Sequence, residues 1–244
     1  GSGNAVVNPN GTSIRVYSSD GPDTTIIDGE NARRGIECSS GETSGAIFEG
    51  FTISQGTLAG DVGGGLYCKN SSPMFIDCTF SNNTAGIKGE KNGGGAHCLN
   101  GAPTFTSCRF TSNIATRGAG VNTFKSAVTF NECTFQENQA SSLGGGLYSY
   151  LTASSEVEIL LSLCRFEENT AQSGAGIYCN TVNHIIYDCT FTSNIADSAG
   201  GGIYNKTSSP MITNCEFTLN DAGSDTGGAI RSVLPSFPGI GDSY

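Results

Sequence analysis

Apolar and polar residues alternate with a period of two in many short stretches of the chain. In residues 66–68 (Leu-Tyr-Cys) and 177–179 (Ile-Tyr-Cys), the first and third side chains are apolar and the tyrosine between them points to the opposite side. This alternation is typical of a β-strand, in which successive side chains face opposite ways, and not of a helix. The pattern therefore predicts a chain of many short strands.

A longer repeat organises these strands. The string C-x-F-x-x-N-x-A occurs six times, with steps of 30, 25, 31, 25 and 26 residues between its copies. The cysteines that open the copies are Cys78, Cys108, Cys133, Cys164, Cys189 and Cys215. A glycine block, G-[GA]-[GA] plus an apolar residue, alternates with these copies and begins at Gly63, Gly93, Gly118, Gly144, Gly174, Gly200 and Gly227. One such unit cannot bury its own apolar face, whereas stacked units share a continuous core, so the repeat predicts a solenoid.

The spacing within the repeat predicts a corner. An apolar residue precedes each motif cysteine by three positions, as Phe75 precedes Cys78. Two residues at an odd offset cannot share one face of a straight strand, so the chain must bend between them. Asp77, Asp188 and Asn214 are suitable turn residues for that bend. Each repeat should then contain two or three short strands, with the cysteine and the phenylalanine of the motif both pointing inward.

Equivalent residues of successive coils should stack about 4.8 Å apart. We expect each motif asparagine to bond the backbone or the amide of the next coil. The first glycine of each block should occupy a corner with positive φ or a close chain approach. An earlier coil fits the same pattern if Phe51 replaces the cysteine, Ile53 the phenylalanine and Gly56 the asparagine, and residues 14–16 and 25–29 read as a first coil. The prediction is an all-β parallel β-helix of about eight coils.

We expect a single domain over residues 1–244. Its predicted parts are a first coil or N-terminal cap at 1–34, repeat coils at 35–226, and the start of a last coil with a C-terminal cap at 227–244. Because the last glycine block opens a coil without a further motif copy, we also expect the chain to be a monomer or a piece of a longer solenoid.

Composition narrows the class of protein. Ten cysteines favour an exported protein over a cytosolic enzyme, and without a C-x-x-C pair a structural zinc site is not expected. We expect mostly reduced thiols in the motif column, with Cys68 and Cys98 as the most plausible bridge. The net charge of −10 argues against nucleic acid or anionic lipid as a partner. No apolar run reaches the ~18 residues of a membrane span, so we expect no membrane insertion.

The repeated F-x-x-N and the G-G-A-I at residues 227–230 resemble the repeats of chlamydial polymorphic outer-membrane proteins. They are also similar to bacterial secreted right-handed β-helix repeat proteins with a pectin-lyase-like fold. The resemblance implies a right-handed parallel β-helix, located outside the cell or at its surface, and the chlamydial family implies an adhesin. These motifs are scaffold residues, however, and function has to be argued from sites on the scaffold.

Two predicted surface columns carry candidate chemistry. The position after each glycine block holds Tyr148, Tyr178 and Tyr204 in three consecutive coils, and His97 two coils before them. An aromatic strip of this kind suits contact with sugar rings; the alternative is that the rings only stabilise neighbouring strands.

The second column is acidic, with Glu137 and Glu168 at equivalent positions of adjacent coils. Two carboxylates about 5 Å apart suit a catalytic glycosidase pair or a Ca²⁺ site. The remaining interpretation is solvated surface charge.

These features favour a non-catalytic extracellular module, adhesin-like or structural, that contacts a polysaccharide or cell-surface glycan through the tyrosine strip. The alternative is a polysaccharide lyase or glycoside hydrolase of the pectin-lyase-like superfamily. Against the alternative, the links between coils are short, so a catalytic cleft is hard to build. No cofactor is expected, apart from Ca²⁺ at the two glutamates.

Overall fold

The computed structural model describes residues 4–58, 61–85, 91–151, 157–223 and 227–233. Within these ranges the chain forms 29 short β-strands and no helix. Accordingly, none of the described residues belongs to a helix that would cross a membrane.

The strands follow one another coil by coil. The first three coils contain β1 (Ala5–Val7), β2 (Arg15–Tyr17), β3 (Ile26–Asp28), β4 (Arg34–Cys38), β5 (Ile47–Glu49), β6 (Thr52–Ser54), β7 (Leu66–Lys69), β8 (Met74–Ile76) and β9 (Thr79–Ser81). The fourth and fifth coils contain β10 (Ala96–Leu99), β11 (Thr104–Thr106), β12 (Arg109–Thr111), β13 (Ile114–Arg117), β14 (Val121–Phe124), β15 (Thr129–Asn131), β16 (Thr134–Gln136) and β17 (Gln139–Leu143). The sixth and seventh contain β18 (Leu147–Tyr150), β19 (Glu158–Ser162), β20 (Arg165–Glu167), β21 (Thr170–Ser173), β22 (Ile177–Asn180), β23 (Asn183–Tyr187), β24 (Thr190–Thr192) and β25 (Ile195–Ala199). The eighth contains β26 (Ile203–Lys206), β27 (Met211–Thr213) and β28 (Glu216–Thr218), and β29 (Ile230–Val233) begins a ninth.

Equivalent strands of successive coils pair in parallel and form four sheets. Sheet A holds nine strands in the order β1-β4-β7-β10-β14-β18-β22-β26-β29. Sheet B holds β2-β5-β8-β11-β15-β19-β23-β27, and sheet C holds β3-β6-β9-β12-β16-β20-β24-β28. A smaller sheet D holds β13-β17-β21-β25. The predicted parallel solenoid of about eight coils is confirmed.

The core is built from stacked phenylalanines. The motif phenylalanines form one column in sheet C, in which Phe135 and Phe166 stack with ring centroids 4.5 Å apart. A second column in sheet B includes Phe105 and Phe130, at 5.3 Å. Rings of the two columns meet edge to face, as Phe105 meets Phe110 at 5.3 Å, an arrangement that the aromatic quadrupole favours. The motif cysteines and phenylalanines both point inward, as predicted, and are almost all fully buried.

A ladder of buried asparagines runs along the corner after sheet C. The side-chain amide of Asn113 donates to Oδ1 of Asn138, 2.9 Å away in the next coil, and to the carbonyl of Phe80 at 2.9 Å in the preceding one. The Oδ1 of Asn113 accepts the backbone N–H of Asn83 at 3.0 Å. At the start of the ladder Gly56 takes the asparagine position and donates its N–H to Asn83 at 2.8 Å. The predicted bond from each asparagine to the amide of the next coil is confirmed, and the backbone partners of the side chain lie in the preceding coil.

The corners use the left-handed backbone region. Asp77, Asp188 and Asn214, at the bend predicted before the motif cysteine, have φ between 47° and 55°. The first glycine of each block also has positive φ, for example 65° at Gly144. A residue with a Cβ adopts this region only at a steric cost, which is smaller for Asp and Asn than for most residues. Glycine has no Cβ and adopts the region without this cost.

The prediction of two or three strands per coil is wrong for coils four to seven, which have four. The links that follow the motif alanine pair with their equivalents in the next coil and form sheet D, with register shifts such as the one between Ala115 and Arg117. Polar links of two to four residues looked like loops, but stacking provides them with hydrogen-bond partners. The tail of the predicted C-terminal cap, 234–244, lies outside the described residues. The sequence also predicts an insertion around Tyr150–Glu158, and residues 152–156 of it lie outside the described residues as well.

Candidate functional site

The outer face of sheet A carries the predicted aromatic column. Tyr67, His97, Asn122, Tyr148, Tyr178, Tyr204 and Arg231 are register partners from coil to coil. The rings of Tyr178 and Tyr204 stack with centroids 4.8 Å apart and planes 7° from parallel, whereas Tyr148 and Tyr178 are tilted by 37°. The column therefore forms, with the composition expected from the sequence.

The expectation that this column is an open surface strip is wrong for Tyr148, Tyr178 and His97, whereas Tyr204 is half-buried. Tyr148 is only 7% exposed and Tyr178 5%, and His97 is 7% exposed. The glycine corner between sheets D and A lies close to the Cβ atoms of these tyrosines. A Cβ added to Gly144 would lie 2.7 Å from Cβ of Tyr148, and one added to Gly174 would lie 2.8 Å from Cβ of Tyr178.

The accessible rings belong to a neighbouring column that our sequence analysis missed. Its members, two residues further along each strand, are Leu99, Phe124, Tyr150, Asn180 and Lys206, all partly or fully exposed. Phe124 and Tyr150 stack with centroids 5.4 Å apart and planes 10° from parallel. Residues at i and i+2 share a face of a strand, so strand parity was the signal that would have identified them.

These columns line a groove of about 620 Å³. One wall is formed by the residues that immediately precede the corner glycines, namely Val62, Asn92, Arg117 and Leu143. The floor contains His97, Asn122, Tyr148 and Tyr178, and the other side contains Leu99, Phe124, Tyr150, Asn180 and Lys206. The groove runs along the solenoid from the fourth to the eighth coil, about 19 Å at about 4.8 Å per coil. Short links therefore still leave room for a groove, in which Arg117 and Leu143 of sheet D form part of the wall.

The N-terminal end of the groove adjoins a charge cluster around the buried Arg34. Arg34, 2% exposed, bonds Asp61 at 2.8 Å and Glu37 at 3.0 Å, and its guanidinium lies 4.6 Å from the ring centroid of Tyr67. Partial burial opposes ionisation of Asp61, but the N–H of Val62 and the guanidinium of Arg34 outweigh it and lower the pKa of that carboxyl.

His97 is next in this stack and is neutral at pH 7. Its ring lies 5.9 Å from that of Tyr67, and its side chain is hydrogen-bonded to that of Asn122. Burial lowers the pKa of His97 to about 4, against a smaller opposing attraction to Asp61. Its Nδ1 is buried and has no hydrogen-bond partner among the described residues.

Glu137 and Glu168 lie elsewhere, at the corner where sheet C ends. Both are exposed and both have a φ of 54°. They occupy equivalent positions of adjacent coils, as the sequence predicts, and Glu137 accepts a hydrogen bond from Ser112 at 3.2 Å. The described residues contain no cluster of three side chains of the His, Cys, Asp or Glu type that would hold a metal ion. The catalytic and Ca²⁺ interpretations of this pair stay predictions.

All ten cysteines are free thiols, including Cys68 and Cys98, which are register partners. The motif thiols point to backbone carbonyls; Sγ of Cys108, for example, lies 3.5 Å from the carbonyl of Phe75. Burial raises the pKa of the Cys164 thiol. This column is a packing element and lies inside the solenoid, away from the groove.

Comparison with protein families agrees with this architecture. The family described as right-handed β-helix region matches residues 2–160, and the Chlamydia polymorphic membrane protein repeat matches residues 188–206. Comparison with curated proteins gave no match, and comparison with solved structures gave none either. The two family matches suggest a surface or secreted protein. Since the first match covers more than half of the 244 residues, the chain belongs to the right-handed β-helix family.

Proposed function

We propose that this chain is a non-catalytic, adhesin-like β-helix module that binds carbohydrate in the groove over sheet A. The observation that carries the proposal is the stacked pair Phe124 and Tyr150, which is partly exposed at the groove. This pair, and not the predicted column of Tyr148, Tyr178 and Tyr204, is the main sugar contact that we propose.

The chemistry of the groove suits a sugar chain. Sugar rings have apolar faces that pack on aromatic rings and hydroxyls that need hydrogen-bond partners. The rings of Phe124 and Tyr150 offer an apolar surface, and the side-chain amide of the half-buried Asn180 offers both a donor and an acceptor. A groove of this shape, apolar with a few placed polar groups, is typical of a ligand site. Its course along the solenoid suits an extended oligomer.

The same lining favours binding over cleavage. Hydrolysis of a glycosidic bond ordinarily uses a pair of carboxyl groups as acid and base or nucleophile. The described lining of the groove contains no Asp or Glu, and Glu137 and Glu168 lie at the opposite end of the fourth strand. A lyase or hydrolase is therefore the second candidate.

A glycan array, with reducing-sugar and unsaturated-product assays on the polysaccharides that bind, tests the proposal. We expect binding without turnover. Tyr150→Ala should weaken binding about tenfold, the equivalent of about 1.4 kcal/mol of stacking. The matched control is Tyr187→Ala, which removes an exposed tyrosine on sheet B and should leave binding unchanged. Product formation would support the enzyme; equal binding by Tyr150→Ala and the parent protein would refute the site.

A further inference from the structure

The aromatic pair at the groove ends on a ring face that no third ring continues. Phe124 and Tyr150 are register partners, with ring planes 10° from parallel and centroids 5.4 Å apart. Two coplanar rings would collide at this distance, so each ring covers part of one face of the other, as in offset stacking. On its other side Phe124 has Leu99 as register partner, and Nζ of Lys125 lies 5.3 Å from its ring centroid. The second face of Tyr150 is turned toward the seventh coil.

The seventh coil places a short polar side chain beside this face. The register partner of Tyr150 is the half-buried Asn180, and that of Asn180 in the eighth coil is the exposed Lys206. An asparagine side chain is shorter than a phenol and leaves the outer part of the ring face open. These three residues all line the groove. They form a slot with a ring on one side, an amide at its base and a lysine on the other side.

The slot has the width of one sugar ring. Tyr150 and Lys206 are two coil steps apart, which corresponds to about 10 Å. A ring in van der Waals contact with a flat surface lies about 4 Å from it, so contact on both sides needs about 8 Å. The stem of a lysine packs along an apolar surface while its ammonium group stays in water. Lys206 therefore suits the second side of a sugar ring that is stacked on Tyr150.

The amide of Asn180 supplies the polar partners of such a ring. Its Oδ1 accepts a hydrogen bond from the hydroxyl of Thr181 at 3.2 Å, which leaves a second lone pair, and its Nδ2 carries two N–H donors. One amide can therefore donate to one ring hydroxyl and accept from the hydroxyl beside it.

We propose that Tyr150, Asn180 and Lys206 bind a single pyranose ring with adjacent free hydroxyls, and that this ring anchors the glycan in the groove. Tyr150 packs on one face of the ring, Lys206 packs on the other, and Asn180 selects the hydroxyl pair. This inference rests on the proposed carbohydrate binding and adds the unit that is recognised and the residue that determines specificity.

Saturation-transfer difference NMR with single sugars tests the slot. The probes are the methyl α- and β-glycosides of glucose, galactose, mannose, fucose, N-acetylglucosamine and N-acetylgalactosamine. We expect at least one of them to bind on its own, with a Kd of about 1 mM, which is ordinary for a ligand of this size. If the glycan array yields ligands but none of the single sugars binds, recognition needs a longer chain and the slot is wrong. If the array is also blank, the proposed function itself fails.

Two matched substitutions locate the bound ring. Asn180→Tyr places a third ring on the open face of Tyr150 and should weaken single-sugar binding at least about tenfold. Its melting temperature should not fall, because cross-strand aromatic pairs stabilise a sheet. The control is Leu99→Tyr, which extends the same stack at its other end, three coil steps or about 14 Å from Asn180, and should leave binding unchanged.

A third variant tests the amide. Asn180→Leu keeps the slot open but removes the hydrogen bonds, and should weaken binding about fivefold; an unchanged affinity would refute Asn180 as the specificity residue. Equal binding by Asn180→Tyr and the parent protein, or an equal loss in Asn180→Tyr and Leu99→Tyr, would overturn the slot. If Tyr150→Ala still abolishes binding on the array in that case, carbohydrate binding stands and only the slot fails.

Discussion

The asparagine ladder makes the sharpest prediction about stability, through the substitution Asn113→Ala. Asn113 is fully buried, and its side chain makes four hydrogen bonds within the ladder. It donates to Phe80 and Asn138 and accepts both the backbone N–H and the side-chain amide of Asn83, at 3.0 and 3.1 Å. Alanine removes all four and leaves the surrounding corner otherwise unchanged.

The size of the expected loss in unfolding free energy depends on which neighbouring groups keep a hydrogen-bond partner in the variant. Oδ1 of Asn138 keeps the backbone N–H of residue 113 at 3.2 Å, and the side-chain amide of Asn83 keeps the carbonyl of Ile53 at 2.9 Å. The backbone N–H of Asn83 loses its acceptor in the dry interior, which costs about 1–3 kcal/mol, and each other lost bond adds about 1 kcal/mol or less. We expect Asn113→Ala to lower the free energy of unfolding by about 3–4 kcal/mol.

Urea unfolding followed by far-ultraviolet circular dichroism measures the total effect. A solenoid can unfold in parts, so amide hydrogen exchange at Asn83 should report the local effect, with exchange faster in the variant. The matched control is Asn220→Ala at the half-buried end of the ladder, where water can replace the lost bonds; it should cost about half as much. A loss below about 0.5 kcal/mol for Asn113→Ala, with unchanged exchange at Asn83, would refute the reasoning.

Two further predictions concern acid and thiols. Burial lowers the pKa of His184 to about 4, below about 6.5 in the unfolded chain, so the neutral side chain contributes to the free energy of unfolding above pH 6.5, and at most about 3 kcal/mol is lost as the pH falls from about 6.5 to about 4. The unfolding free energies at pH 7 and 4.5 should therefore differ less in His184→Gln than in the parent protein, and equal differences would contradict this. Alkylation in denaturant without a reductant should modify all ten cysteines by mass spectrometry, and in the native protein Cys215, the one partly exposed thiol among the ten, should react first; a Cys68–Cys98 bridge would contradict the first expectation.

The inward half of the structure was predictable from the sequence because each coil has to fill the same cross-section. Phe110 and Phe135 stack at 5.0 Å only if both coils place a phenylalanine at the same point. Likewise, Asn113 is satisfied only by another asparagine or its backbone one coil away. Such constraints appear in the sequence as exact repeats, and the corner at Asp77 follows from the odd offset between two inward residues.

The groove was not predictable in the same way. Sheet D is formed by short polar links such as residues 139–143, whose strand character comes from stacking on neighbours and not from an apolar pattern. Without that wall, Tyr148 and Tyr178 appear as surface residues. The backbone turns at Gly144 and Gly174, close to these tyrosines, and a repeat pattern does not give the direction of that turn.

The inward and outward columns differ in how strictly each residue type is repeated, and this difference bears on the binding that we propose. Along sheet C the inward position is Phe in six successive coils. Along the groove the outward position changes from Leu99 through Phe124, Tyr150 and Asn180 to Lys206 within five coils. Packing does not require this variation, because partly exposed side chains can change at little cost to stability. The scaffold therefore fixes only the spacing of about 4.8 Å between successive coils, and under the function that we propose the order of side chains along the groove sets which sugar chain is bound.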